Sequence, residues 1–184
     1  MVHSPEGFVQ CRIQHATVPE RARGTYESRA NRSNEPDGYT CLSYVWGSLD
    51  SGTSWITLDG HRFLCRQNLV TFLKYARQIK IYGPLWIDAL CINQADIVER
   101  NSQVQMMGEI YSWAKEVISC LGDCEKITAY FAGLRQESSG NSEDVLSETE
   151  EERLQACFRC EYWERAWITQ ELVLAYKPTF MAGP

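Results

Sequence analysis

The order of apolar and polar positions along the chain predicts strands and helices in turn. Phe8–His15 alternates weakly and predicts a short edge strand. Arg21–Arg32 is polar and basic and runs into Ser33-Asn34-Glu35-Pro36-Asp37-Gly38, which is loop chemistry. Tyr39–Trp46 is apolar nearly throughout and β-rich, a buried strand that stops at the polar run Gly47–Gly52. Trp55–Leu58 and His61–Cys65 flank Asp59-Gly60, a two-residue hairpin signal. Asn68 is expected to cap a helix whose apolar face is Leu69, Phe72, Leu73, Ala76 and Ile79, ended by Gly83-Pro84. Leu85–Ile92 predicts a central buried strand carrying one carboxylate, Asp88. Asp96, with Glu99 three residues on, has the form of a capping box, and Val104, Met107, Ile110, Tyr111 and Ala114 form the buried stripe of the helix that follows. Glu116–Leu121 predicts a strand and Ile127–Leu134 a helix. Residues 136–152 hold seven acidic and no basic residues, which predicts a flexible surface loop or a frayed helix. Leu154–Tyr176 predicts one helix with Trp163, Trp167 and Glu171 on a single face, and Pro178–Gly183 a last short strand.

The β-α-β-α-β rhythm between 39 and 134 argues for an α/β fold, a parallel sheet with helices on both sides and the hairpin as an insertion. A chain of 184 residues suits one domain over 1–184: the α/β core at 39–134, the acidic loop at 136–152, and a C-terminal helix and strand at 154–184. A hydrophobic fraction of 44% with 23% charged residues excludes wholesale disorder. No apolar run approaches the roughly 18 residues that cross a bilayer, so no membrane partner is expected. The first residues lack the basic and apolar regions of a secretory signal. Eighteen Lys and Arg against 24 Asp and Glu give a net charge of -6, which excludes a general grip on nucleic acid. The eight cysteines, several in strand-like runs, are expected as reduced, buried thiols of a cytoplasmic protein. Cys120/Cys124 and Cys157/Cys160 have a loose likeness to zinc-ligand pairs but no accompanying knuckle, and no metal site is expected.

The candidate chemistry sits at strand ends. Trp46, Gly47 and Ser48 follow the first buried strand, where an α/β sheet presents its ligand site, and Gly47 permits close backbone approach. Ser43 and Tyr44 point to opposite faces, so at most one of them faces a given pocket. Asp88 in an apolar run is costly unless paired; it either anchors a loop through hydrogen bonds or pairs with Arg100. Asn93-Gln94 is either a turn former or the polar floor of a pocket. Trp46, Trp86 and Trp167 serve either as core packing or as stacking surfaces. Glu171 is either a solvated helix residue or a catalytic carboxylate, and an ion pair with Arg165, six residues back on a continuous helix, is not expected. His3, His15 and His61 show no metal-ligand spacing and no nucleophile partner. No P-loop and no GxGxxG is present.

Four segments together resemble the HET domain, the heterokaryon incompatibility domain of filamentous fungi. They are Tyr39–Gly47 (YTCLSYVWG), Leu85–Gln94 (LWIDALCINQ), Glu99-Arg100 with Gln103-Val104, Met107 and Ile110-Tyr111, and Arg165-Ala166-Trp167 with Gln170-Glu171 and Leu174-Ala175. Cys41 stands where the family usually has Ala, and Leu90 where Ile is common. The resemblance implies a role in non-self recognition, with cell death when incompatible hyphae fuse. A more distant likeness links Leu42–Gly47 and Trp167–Leu172 to the first-strand box and the Trp-x-x-x-Glu helix start of TIR domains that cleave NAD. It implies a TIR-like, flavodoxin-like sheet and Glu171 as the catalytic residue. Ser43, Tyr44, Trp46, Gly47, Ser48, Asp88, Asn93, Gln94 and Trp167 would then bind the substrate. NAD or a related nucleotide would be substrate, with no separate cofactor. Activity would depend on self-association, under a possible regulatory protein partner. The rival expectation is a non-enzymatic module that self-associates and recruits a downstream executor.

The residue types suit cleavage of a nicotinamide–ribose bond. Nicotinamide departs neutral from a pyridinium and needs no proton, so the burden falls on an oxocarbenium-like ribose. One well-placed carboxylate stabilises that charge or orients water against it, where ordinary glycosidases need two.

Overall fold

The computed structural model describes residues 8–16, 38–81, 83–137 and 148–183. The loop expected at 21–37, His3, and the central part of the acidic segment lie outside these residues. Strand β1 (Gln10–Cys11) is shorter than Phe8–His15 and pairs in parallel with β3 (Thr53–Leu58), which forms an antiparallel hairpin with β4 (His61–Arg66). Asp59 at φ 49 and Gly60 at φ 80 supply the two left-handed residues of the hairpin turn, as the sequence predicts.

The second sheet is wholly parallel. It runs β5 (Leu85–Trp86), β2 (Thr40–Tyr44), β6 (Glu116–Cys120), β7 (Pro178–Met181). The chain therefore leaves β2 to one side, returns to the other, and reverses the strand order at β2. Ligand crevices of open α/β sheets form at the carboxyl ends of strands at such a point. The sheet is completed by β7, which lies beyond the 39–134 core expected from the rhythm.

Alternation along β2 and β6 divides the core. Leu42, Tyr44 and Ile118 face helix α1 (Gln67–Gln78) and the hairpin, burying Leu69, Val70, Phe72, Leu73, Ala76, Ile56 and Cys65. Cys41 and Val117 face the opposite way, onto Met107, Ile110, Tyr111 and Ala114 of α3 (Ile97–Trp113) and its end. Trp86 meets Tyr111 edge-on at 5.5 Å, so this tryptophan is core packing. A third cluster joins Leu121 and Ile127 on α4 (Glu125–Glu137) to Cys157 on α5 (Glu148–Phe158) and to Tyr162. Of the two alternatives for the acidic segment, residues 148–152 take the helical one.

Three local expectations are corrected. The Leu85–Ile92 run is a strand only as far as Trp86. The Ile87 carbonyl then accepts from the Leu90 and Cys91 amides at 2.9 and 2.8 Å, starting the single turn α2 (Asp88–Cys91), whose first free amide, Ala89, donates to Asp88 Oδ1 at 2.7 Å. An apolar run of this length does not distinguish strand from buried turn. Asn68 does not cap α1; its Nδ2 donates to the Val45 carbonyl at 3.0 Å and ties the helix start to the loop after β2. Asp96 does cap α3, accepting from Val98 and Glu99, while Glu99 accepts from the Asn93 amide.

The third correction governs the site. Leu154–Tyr176 is not one helix. It breaks into α5, a 3-10 turn at Glu161–Glu164, extended Arg165 (φ -70, ψ 133), and the short helix α6 (Ile168–Val173). Tyr162 is fully buried, and Trp163 Nε1 donates to the Cys157 carbonyl at 2.6 Å, covering an orphan acceptor where α5 ends. Trp163, Trp167 and Glu171 consequently do not share a face. Among the described residues no helix is long and apolar enough to cross a membrane.

Candidate functional site

Strand alternation turns Ser43 toward α6 and Tyr44 toward α1. Ser43 is fully buried and stands at the centre of a polar network. Its hydroxyl donates to Glu171 Oε2 and, with its one proton so used, accepts from the Tyr162 hydroxyl at 2.6 Å and from Arg165 Nη1 at 2.7 Å. Arg165 also grips Glu171 with two bonds, Nη1 to Oε2 at 2.5 Å and Nη2 to Oε1 at 2.8 Å. The break before α6 makes this pair possible. Arg165 lies outside the helix, on extended backbone, and reaches back along it to a carboxylate in the first turn. Glu171 has no exposed surface, and Arg165 covers it. Burial works against the guanidinium's charge, but the adjoining Glu171 carboxylate outweighs it and raises the Arg165 pKa. Ser119, the register partner of Ser43 on β6, is buried beside Tyr162.

In front of Arg165 opens a cavity of about 360 Å³. It is lined by Trp46 from the loop after β2, Asp88, Ile92 and Gln94 after β5, Arg100, Val104 and Met107 from α3, and Arg165, Ala166 and Trp167 before α6. All ten belong to the four sequence segments quoted above, so segments spread over more than a hundred residues of chain meet at one hollow. Trp46 is a fixed wall. Its Nε1 donates to Asp88 Oδ2 at 2.8 Å, and the Arg66 guanidinium lies 5.3 Å from its ring centroid while bonding the Gly47 carbonyl at 2.5 Å. Asp88 thus anchors the loop and does not pair with Arg100. Burial raises the Asp88 pKa above the usual carboxylate range, against the opposing bonds from Trp46 and Ala89.

A smaller hollow of about 160 Å³ shares the Trp46 and Gln94 walls and is otherwise lined by Tyr44, Phe63, Leu64, Leu69 and neighbours. Of the site residues expected from sequence, Trp46, Asp88, Gln94 and Trp167 line the larger cavity and Tyr44 only the smaller one. Ser43 and Glu171 sit behind Arg165. Gly47, at φ 80, shapes the loop. Ser48 accepts from the Asp50 amide in an exposed turn, and Asn93 Oδ1 accepts from the Ala95 amide, so both are turn formers. Gln94 donates to the Asp88 carbonyl and is the polar floor. Sequence reasoning missed Arg165 and Arg100 as cavity residues. The signal available was their place inside the quoted segments.

All eight cysteines are unpaired, and burial raises the thiol pKa of Cys11, Cys41, Cys65, Cys91, Cys120, Cys157 and Cys160, Cys65 to about 11. Such thiols are poor nucleophiles at neutral pH. Among the described residues no three His, Cys, Asp or Glu side chains converge as metal ligands.

The family model described as Heterokaryon incompatibility protein (HET) matches residues 39–171. The chain is similar to Heterokaryon incompatibility protein 6, OR allele, of Neurospora crassa, with 38% identity over 100 residues, 47% of this chain and 15% of that protein. The chain therefore corresponds to only a small part of that relative. No solved structure matches it.

Proposed function

Since the chain belongs to the heterokaryon incompatibility (HET) family, we propose that it is a cell-death effector module of fungal non-self recognition that cleaves the nicotinamide–ribose bond of NAD or a related nucleotide in the cavity before Arg165. The convergence of all four family segments on that cavity carries the reading. Its walls offer what a nucleotide needs: indole faces at Trp46 and Trp167 for a base or sugar, guanidinium groups for phosphate, and a carboxylate, Asp88, for sugar hydroxyls. The likeness of Trp167–Glu171 to the helix start of NAD-cleaving TIR domains supports Glu171 as the catalytic carboxylate.

In the reaction, water attacks ribose C1′ as the C1′–N bond breaks. The bonding electron pair returns to the pyridinium nitrogen, neutral nicotinamide leaves, and the water proton passes to solvent. Glu171 stabilises the positive ribose once Arg165 has moved aside; the arrangement with Arg165 on the carboxylate is the closed one. Self-association supplies the displacement, consistent with a toxic module that is silent alone.

One observation favours a second reading. Glu171 is fully buried and satisfied by Arg165 and Ser43, as a purely structural residue would be, which suits a non-enzymatic module that recruits an executor. Nicotinamide release from NAD, followed at rising protein concentration, separates the two. The enzyme reading expects release that rises faster than concentration and is lost in Glu171→Gln, assayed below that variant's own melting temperature. No release at any concentration, with killing retained in Glu171→Gln, establishes the scaffold.

A further inference from the structure

We infer that Arg100 and Arg165 form an anion subsite on the cavity wall, which takes the phosphate of a nucleotide ligand. This rests on the cavity being the ligand site, and not on any bond being cleaved there.

The two cations differ from the other walls and from each other. Arg165 spends three of its five N–H groups on Glu171 and Ser43; the Nε–H and the second Nη2–H make no bond among the described residues. The inner side of the guanidinium is thus pinned while an edge remains for the cavity it lines. Arg100 is exposed and, among the described residues, its guanidinium has neither an ion pair nor a hydrogen bond, although it lines the same cavity from α3. Asp88, the acid on this wall, bonds the Trp46 and Ala89 N–H groups and not Arg100. Arg100 therefore supplies a positive charge with no carboxylate assigned to it, in the same cavity as an already oriented guanidinium.

Two guanidiniums with free N–H edges suit phosphate, whose oxygens accept paired, charge-assisted bonds. The indoles of Trp46 and Trp167, which line the same cavity, add surface for the base or sugar that a nucleotide carries. A phosphate seated against Arg100 also gives Arg165 an anionic partner in competition with Glu171, which eases the displacement that self-association supplies.

The test is calorimetric titration of the purified protein with ADP-ribose, inorganic pyrophosphate and adenosine. ADP-ribose is expected to bind more tightly than adenosine, and pyrophosphate to compete with it. Arg100→Ala is expected to weaken ADP-ribose binding about 10- to 100-fold while leaving adenosine binding and the melting temperature unchanged. Arg100→Lys recovers part of the loss, and added salt reduces the wild-type advantage. Equal binding of adenosine and ADP-ribose, or an unchanged affinity in Arg100→Ala, overturns the anion subsite while leaving the cavity as a ligand site. Absence of binding by all three ligands overturns both. ADP-ribose binding without nicotinamide release from NAD upholds the subsite and removes only the hydrolase.

Discussion

Arg165 and Glu171 form a two-bond ion pair at 2.5 and 2.8 Å across a break between a 3-10 turn and a six-residue helix, and the carboxylate in it has no contact with solvent. Desolvating both charges is expensive, so the pair is a weak source of net stability, but severing it strands a buried charge. Arg165→Ala and Glu171→Ala are each expected to cost about 3–5 kcal/mol in urea unfolding, and the double replacement Arg165→Met with Glu171→Leu less than the sum. Single variants within about 1 kcal/mol of wild type would show that the pair is open in solution.

The loop carrying Trp46 depends on a glycine. Gly47 has φ 80, and a Cβ there would lie 2.7 Å from the Asn68 side-chain nitrogen that holds the Val45 carbonyl. Gly52 has a similar φ of 97 with open space around it. Gly52→Ala is expected to cost the left-handed backbone alone, about 1–2 kcal/mol, and Gly47→Ala more, because Asn68 must also move. Equal losses in thermal unfolding would mean that Asn68 gives way freely.

Trp46→Phe keeps the aromatic body and deletes the donor to Asp88. The expected loss is about 1–2 kcal/mol, accompanied by a further rise in the Asp88 pKa, since that bond favours the ionised form. A carboxyl-selective NMR titration reads the second effect. A pKa that stays in place would show that the indole bond does not hold the carboxylate.

Asp88 also sets a pH dependence. Its carboxyl is held above the usual value of 3.8 by burial, so the folded protein keeps this proton to higher pH than the unfolded chain. The stability it contributes is complete below about pH 3.8 and is lost as pH rises through the raised folded value. Relative to Asp88→Asn, which does not titrate, wild type is therefore expected to lose stability as pH rises above about 3.8. Melting curves of both proteins at stepped pH check the slope, and the opposite slope would place the folded pKa below the unfolded one.

Much of this was legible in the sequence, for identifiable reasons. The hairpin followed from Asp59-Gly60, and the α3 stripe from its spacing. The parallel sheet followed from alternating strand and helix patterns. What failed was continuity. Leu85–Ile92 and Leu154–Tyr176 carry apolar patterns with no Gly or Pro, yet each is broken where a tertiary contact outweighs local propensity: Asp88 meeting Trp46, and Tyr162 entering the core. The misread second run hid the Arg165–Glu171 pair, since six residues on a continuous helix place two side chains on different faces. Cavity residues at single positions, such as Arg100, carry no periodic signal; membership of a quoted segment was the only sign of it in the sequence.

The proposed nucleotide site is the hollow that Trp46 and Trp167 line. A crystal structure grown with NAD or ADP-ribose at saturating concentration tests it directly. Ligand density is expected in that hollow, with the diphosphate against Arg100 and Arg165 and ribose oxygens toward Asp88. A nucleotide bound elsewhere on the protein, with the hollow left to solvent, would contradict it.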